Sequence, residues 1–130
     1  MDLLERENVE RLESIANSLN AAHALEHEMN QILAEDGLRL NLWRIMHALA
    51  TTPGMLMGEL ASRLTIPAAT VSRLIDELTD GAIVFRRPAP DDRRKAVVYL
   101  SRAGYERLER ASALFAPRLA HLSSVMPSAV

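Results

Sequence analysis

Along the first quarter of the chain, apolar residues recur at spacings of three or four: Leu12, Ile15, Leu19, Ala22, Leu25, Met29 and Ile32, within a stretch from about Leu3 to Ala34 that holds neither Pro nor Gly. That spacing is the period of an amphipathic helix, and Asp36-Gly37 ends it as glycine commonly ends helices. A helix this long on a small domain carries more apolar surface than the domain covers. The remainder is expected to pack on a partner chain, with a two-fold homodimer the usual solution. A second helix is expected over Asn41 to Ala50, with Leu42, Ile45, Met46 and Leu49 inward and Thr52-Pro53-Gly54 closing it.

Two shorter periodic runs follow. Leu60, Ala61 and Leu64 share one face of a helix, and Val71, Leu74, Ile75 and Leu78 share one face of another. Pro67 suits the first position of that second helix, where its fixed φ fits and its missing N–H has no intrahelical partner to lose. Two short helices joined by a tight turn can set a recognition helix in a major groove. With the apolar face inward, a step of about 100° per residue turns Ala69, Arg73 and Asp76 outward, flanked by Thr70 and Ser72. Small residues let a helix backbone approach base edges, and hydroxyls and a guanidinium bond bases or phosphates. By itself the pattern serves an ordinary helical hairpin equally well.

The period then shortens. Ile83 to Arg87 and Lys95 to Leu100 read as strands rich in β-branched and aromatic residues, joined through Pro88-Ala89-Pro90-Asp91-Asp92. Met55-Leu56 is expected to add a very short strand. Arg86, Arg87, Arg93, Arg94 and Lys95 gather about the turn against Asp91 and Asp92. Guanidinium groups at such a tip suit a narrow minor groove, where the negative potential is strongest; the plainer alternative is a solvated charge run. Beyond the hairpin, Ser101 is placed to cap a last helix carrying Leu108, Ala111, Leu114, Phe115, Leu119 and Leu122. Pro117 is expected to kink or break it near Ala116, since an interior Pro costs about 3 kcal/mol.

Composition narrows the class. One hundred and thirty residues suit a single domain, and abundant Leu, Ala, Glu and Arg with 4% aromatics favour helix over sheet. The absence of cysteine excludes disulfides, thiolate metal sites and thiol redox sensing within this chain. No stretch approaches the roughly 20 apolar residues of a membrane span, and the N-terminus is acidic where a signal peptide is basic, so a cytoplasmic location with no membrane partner is expected. The net charge of −2 hides segregation: residues 1–36 hold nine acids and two arginines, and residues 37–130 hold eight acids and thirteen cations. A local field at the contacting surface governs nucleic-acid binding, so the acidic end is expected to lie away from DNA.

Two further groups invite chemistry. His23 and His27 stand at i and i+4 and share a helix face, a spacing that holds a metal with help from Glu26 or Glu28 or else places two polar residues near a dimer interface. No third ligand is apparent, and no cofactor is expected. Trp43, Met46 and His47 either border a small-molecule cavity between the second helix and the first or, for Trp43, anchor the core; Met29 and Met46 suit core filling.

The run Glu59-Leu60-Ala61, then Thr70-Val71-Ser72-Arg73-Leu74, Leu78 and Gly81, then Asp92-Arg93-Arg94 and Leu100-Ser101-Arg102-Ala103-Gly104 resembles the multiple-antibiotic-resistance regulator (MarR) family. Upstream, Gly37-Leu38-Arg39-Leu40, Trp43-Arg44-Ile45 and Pro53-Gly54 are also similar, so the resemblance spans about Gly37 to Gly104. It implies a mainly α (α+β) fold: a winged helix-turn-helix with a small antiparallel β-hairpin wing, and long terminal helices forming a dimerisation region. The single domain, residues 1–130, then divides into an N-terminal dimerisation helix (1–36), the winged helix-turn-helix (37–104) and a shortened C-terminal dimerisation helix (105–130). The implied function is that of a sequence-specific transcriptional regulator, a repressor that binds a pseudo-palindromic operator in double-stranded DNA as a homodimer. A small effector, often a phenolic or aromatic anion, would release it, and some similar proteins sense zinc. Ala69, Thr70, Ser72 and Arg73 would meet bases and phosphates, Arg94 would enter the minor groove, and Asp92 would orient Arg94 through a salt bridge.

The chain departs from the family pattern in three places. Ser101 replaces a Thr, Thr65 holds a turn position where Gly is frequent, and Pro67 sits where Ser often caps the recognition helix. The last helix is also expected to be short. The rival reading is a winged-helix interaction module whose cations bind an acidic protein. An enzyme has little support: there is no Gly-rich phosphate loop, His-rich metal motif or G-x-S-x-G context.

Overall fold

Thirty-two residues without a helix breaker form α1 (Leu3–Ala34). Asp2 and Glu5 close its start reciprocally, the Glu5 N–H donating to Asp2 Oδ1 at 2.8 Å and the Asp2 N–H to Glu5 Oε2 at 3.2 Å. At its end Gly37, at φ +66°, lets the Leu38 N–H turn back to the Leu33 carbonyl at 3.1 Å. The computed structural model describes residues 2–127, and α2 (Leu40–Thr51), β1 (Met55–Leu56), α3 (Met57–Leu64), α4 (Ala68–Asp80), β2 (Val84–Pro88), β3 (Ala96–Leu100), α5 (Arg102–Ala113), a 3-10 turn at Ala116–Arg118 and α6 (Leu119–Ser124) follow α1 in order.

One core gathers α2, α3, α4 and the sheet around Ile45, Met46, Leu49, Leu60, Val71 and Ile75, each fully buried. The stripe of α1 divides between two environments. Ile32 and Leu33 are buried and Leu25 and Met29 pack on the core, whereas Val9, Leu12, Ile15 and Leu19 remain 50–64% exposed.

The turn between α3 and α4 carries strain. Thr65 is left-handed at φ 53°, ψ 45°, a region that crowds a Cβ and suits a branched side chain least. Its side chain is exposed, so little packing is at stake. Relief of about 1–2 kcal/mol of backbone strain outweighs the roughly 0.5–1 kcal/mol entropic cost of glycine, so Thr65→Gly is expected to raise the melting temperature by about 3 °C in differential scanning calorimetry. A lower melting temperature would show that the strain is relieved elsewhere. Pro67, expected as the first helical residue, is instead the N-cap of α4 at φ −54°, ψ 139°. Its extended ψ keeps it outside the helix, while its carbonyl accepts the first ladder bond from the Val71 N–H at 3.0 Å.

The sheet is antiparallel in the order β1-β3-β2, with Met55 opposite Val98 and Val84 opposite Leu100. The hairpin boundaries shift by a residue from those expected. Pro88 pairs with Ala96 as the last residue of β2, an edge strand where Pro is tolerated, and Lys95 falls into the turn, its N–H donating to the Asp92 carbonyl at 3.0 Å. Beyond the sheet, Ser101 caps α5 by accepting the Gly104 N–H at 3.0 Å. The helix breaks after Ala113, and Pro117 lies in the 3-10 turn that follows. The break rotates α6: Leu122 is buried with Leu108, Ala111 and Phe115, but Leu119, expected on the same stripe, is 56% exposed. Ser128, Ala129 and Val130, the end of the expected C-terminal helix, lie outside the described residues.

The acidic end of α1 is used to hold the C-terminal helices. Asp36 pairs with Arg107 and, at 3.4 Å, Arg110; Glu35 takes Arg118 at 2.8 Å; Glu28 takes His121 at 2.7 Å. The hydrogen bond from Arg118 holds the Glu35 carboxyl below its usual range. Among the described residues no helix is long and apolar enough to cross a membrane.

Candidate nucleic-acid interface

The buried face of α4 is the one its periodicity indicates: Val71, Leu74, Ile75 and Leu78 are all inside. Ala69, Ser72, Arg73 and Asp76 are therefore exposed and Thr70 half-buried. Pro67 supplies no side-chain acceptor to the first turn, leaving its N–H groups without a cap. Thr70 and Arg73 also border an open groove of about 540 Å³ shared with Arg39, Arg44 and Asn30.

The wing tip is organised by one carboxylate. Asp92 Oδ1 accepts the backbone N–H of Arg94 and its Nε, both at 3.0 Å, and Oδ2 accepts from Nη2 at 3.2 Å. The Asp92 side chain is 23% exposed while that of Arg94 is 91% exposed, so the anion is tucked in and the guanidinium stands out in solvent. The Arg94 side chain, then its backbone N–H, hold the Asp92 carboxyl below its usual range. Because this folded-state value lies below the unfolded value of about 3.9, the pairing is fully present above that pH and is lost only as pH falls through the lower folded value. It is intact at neutral pH. Arg93 and Lys95 are exposed beside it, and with Arg73 they make no ion pair among the described residues.

The other two predicted wing cations are engaged. Arg86 donates to the Asp76 carboxylate of α4. Arg87 lies over the Phe85 ring at 5.0 Å, and Phe85 stacks on Tyr99 with centroids 5.4 Å apart. At the next position of α4, Glu77 accepts from Arg39, a residue not expected at the site from sequence. A signal for it exists: Asp76, Glu77 and Asp80 put three acids close together on one helix, and such charges favour cationic partners.

Of the three residues expected to border a small-molecule cavity, Trp43 and His47 line an opening. Met46 is fully buried in the core beside Ile45 and Leu49. Trp43 and His47 border an open cavity of about 320 Å³, but it lies between α2 and α3, with Arg44, Thr51, Arg63 and Leu64. Trp43 also acts as the core anchor: its Nε1 donates to Ser112 Oγ at 3.0 Å, its ring stacks on His47 at 5.0 Å, and Phe115 meets it edge-on at 5.4 Å. His23 and His27 are exposed on α1, and Glu28 is turned to His121. Among the described residues no group of three or more His, Cys, Asp or Glu is gathered to hold a metal ion.

Residues 36–95 match the MarR family. The uncharacterized HTH-type transcriptional regulator YwoH of Bacillus subtilis is 32% identical over 83 residues, covering 64% of this chain and 61% of that protein. A second curated relative, from Thauera aromatica, is 22% identical over 79 residues, 61% of this chain and 48% of its own length. The chain thus spans between about half and three fifths of the relatives it matches. Among solved structures, a MarR mutant from E. coli complexed with operator DNA aligns with a TM-score of 0.74 at 20% identity, covering 97% of this chain and 88% of that one. The transcriptional repressor CouR bound to a DNA duplex aligns with a TM-score of 0.71 at 25% identity, covering 79% and 75%.

Proposed function

We propose that the chain, whose residues 36–95 match the MarR family, is a homodimeric transcriptional regulator that binds a pseudo-palindromic operator with one α4 per half-site. The observation that carries this reading is the wing tip: an arginine 91% exposed, held through its backbone N–H and guanidinium by Asp92 on a hairpin that is itself paired to α4. Arg94 then enters a minor groove while Ala69, Thr70, Ser72 and Arg73 meet the adjoining major groove. Arg93 and Lys95 take phosphates, with Arg87 behind them. Two-fold pairing through the exposed half of α1 sets the half-sites about one helical turn, or 10–10.5 bp, apart or a multiple of that.

Repression by occlusion of a promoter, and release by a small aromatic anion, are the family's implied mode. For release, the effector must bind one dimer arrangement better than the other. The cavity bordered by Trp43 and His47, with Arg44 and Arg63 on its rim, has the apolar floor and cationic edge such an anion needs.

The test is Arg94→Ala against duplexes selected from random sequence. Affinity is expected to fall about thirtyfold, and the slope of log K against log salt to flatten, because two wings each lose one cation from the field of the phosphates. Circular dichroism and the dimer mass should not change. Unaltered affinity would remove the wing from the interface, and a salt-independent response to duplex DNA would favour an acidic protein partner instead.

A further inference from the structure

Asp76 stands in line with Ala69 and Arg73 on the exposed stripe of α4, at spacings of four and three. If that stripe faces DNA, each Asp76 sets a full negative charge among phosphates. Like charges at such a distance repel strongly wherever water is thinned. A sequence that places a carboxylate there must cancel it or lose affinity.

The structure supplies the cancelling charge from another element. Arg86, on β2, donates to Asp76 Oδ1, and the two side chains keep 38% and 63% of their surface exposed. The next residue of α4, Glu77, is held in the same way by Arg39 from the segment before α2. Consecutive acids of one helix are thus each paired with an arginine from another element, one from the wing and one from the segment before α2. Arg86 has the composition of a DNA contact and the geometry of an internal one.

We propose that Arg86 acts on DNA binding through Asp76, as a positioning residue that neutralises a carboxylate on the DNA-facing stripe of α4 and ties that helix to the wing. Its loss then harms binding by uncovering Asp76, and the harm disappears if Asp76 is neutral as well. An arginine that itself grips a phosphate behaves otherwise, since neutralising Asp76 cannot replace the missing cation. The inference rests on the reading of α4 as the helix that meets DNA.

The experiment uses the full chain and two fluorescent duplexes, one selected from random sequence and one unselected, with affinity followed by anisotropy across a salt series. Arg86→Gln is expected to bind the selected duplex about tenfold more weakly. The double variant Arg86→Gln with Asp76→Asn is expected to return to within about threefold of wild type and to regain the wild-type salt slope. Exposed ion pairs contribute little to stability, so both variants should melt close to wild type. Equal weakness of the single and double variants, with the slope flattened in both, would overturn the proposal and put Arg86 on a phosphate. Wild-type protein that binds neither duplex would instead defeat the regulator reading, and this inference with it.

Discussion

Leu12→Glu combined with Leu19→Glu is expected to halve the mass of the protein in sedimentation equilibrium and to weaken binding to a selected operator duplex by at least a hundredfold. Both leucines stand more than half exposed on the N-terminal part of α1, on the stripe that Ile32 and Leu33 continue into the core. Burying such a side chain fully stabilises an assembly by about 1.5–3 kcal/mol. Two-fold symmetry doubles that and doubles the damage, because each variant dimer would have to desolvate four unpaired carboxylates at several kcal/mol each. Loss of the second half-site removes the bivalent advantage, which reaches roughly 10²–10⁴.

The fold itself should survive this change in part. Residues before about Ala21 touch little of the core, and an unsupported helix of that length is marginal in water. A monomer is therefore expected to lose some helical signal while its core still melts cooperatively. A variant that keeps the dimer mass would show that another surface pairs the chains.

Periodicity made the elements legible, and locality decided which of their contacts were. The helix from Leu3 to Ala34 follows from spacing and from its missing breakers, but spacing reports only that one face is apolar; it does not say that Ile32 meets the core while Leu12 meets solvent or a partner. The Asp92 clamp on Arg94 spans two residues, and it is the resemblance, not spacing, that implies it. Asp76 with Arg86 and Glu77 with Arg39 join elements separated in the chain, so the same five wing cations that look alike in sequence divide into free and engaged ones only in three dimensions. Met46 belongs to the inward face of α2 by its own periodicity with Leu42, Ile45 and Leu49, and it is fully buried there. Gly81 ends α4 with φ −83°, and the left-handed residue is Ala82 at φ 58°.

Gly104→Ala is expected to cost about 3 kcal/mol and about 10 °C in melting temperature, near the upper end for one added methyl group. Its Cβ would lie 2.3 Å from the Ile83 carbonyl oxygen and 2.6 Å from Leu100 Cδ1. A side chain can rotate away from such a clash, but a carbonyl cannot move without its strand. The first turn of α5 is pinned there from several directions: the Ser101 N–H donates to the Ile83 carbonyl at 2.9 Å, and the Ser101 hydroxyl reaches the carbonyls of Ala82 and Ile83 at 2.7 and 2.9 Å. The Ser that replaces the family's Thr keeps this hydroxyl, and with it the junction between the exit of α4 and the wing. Gly37→Ala separates crowding from backbone strain, since Gly37 has φ +66° and open space around it, so only the left-handed penalty of about 1 kcal/mol should appear. Urea denaturation of both variants measures the difference. A Gly104 variant no weaker than the Gly37 variant would mean that α5 does not press on the α4–β2 connection, and the wing would then lack the support that holds Arg94 beside the recognition helix.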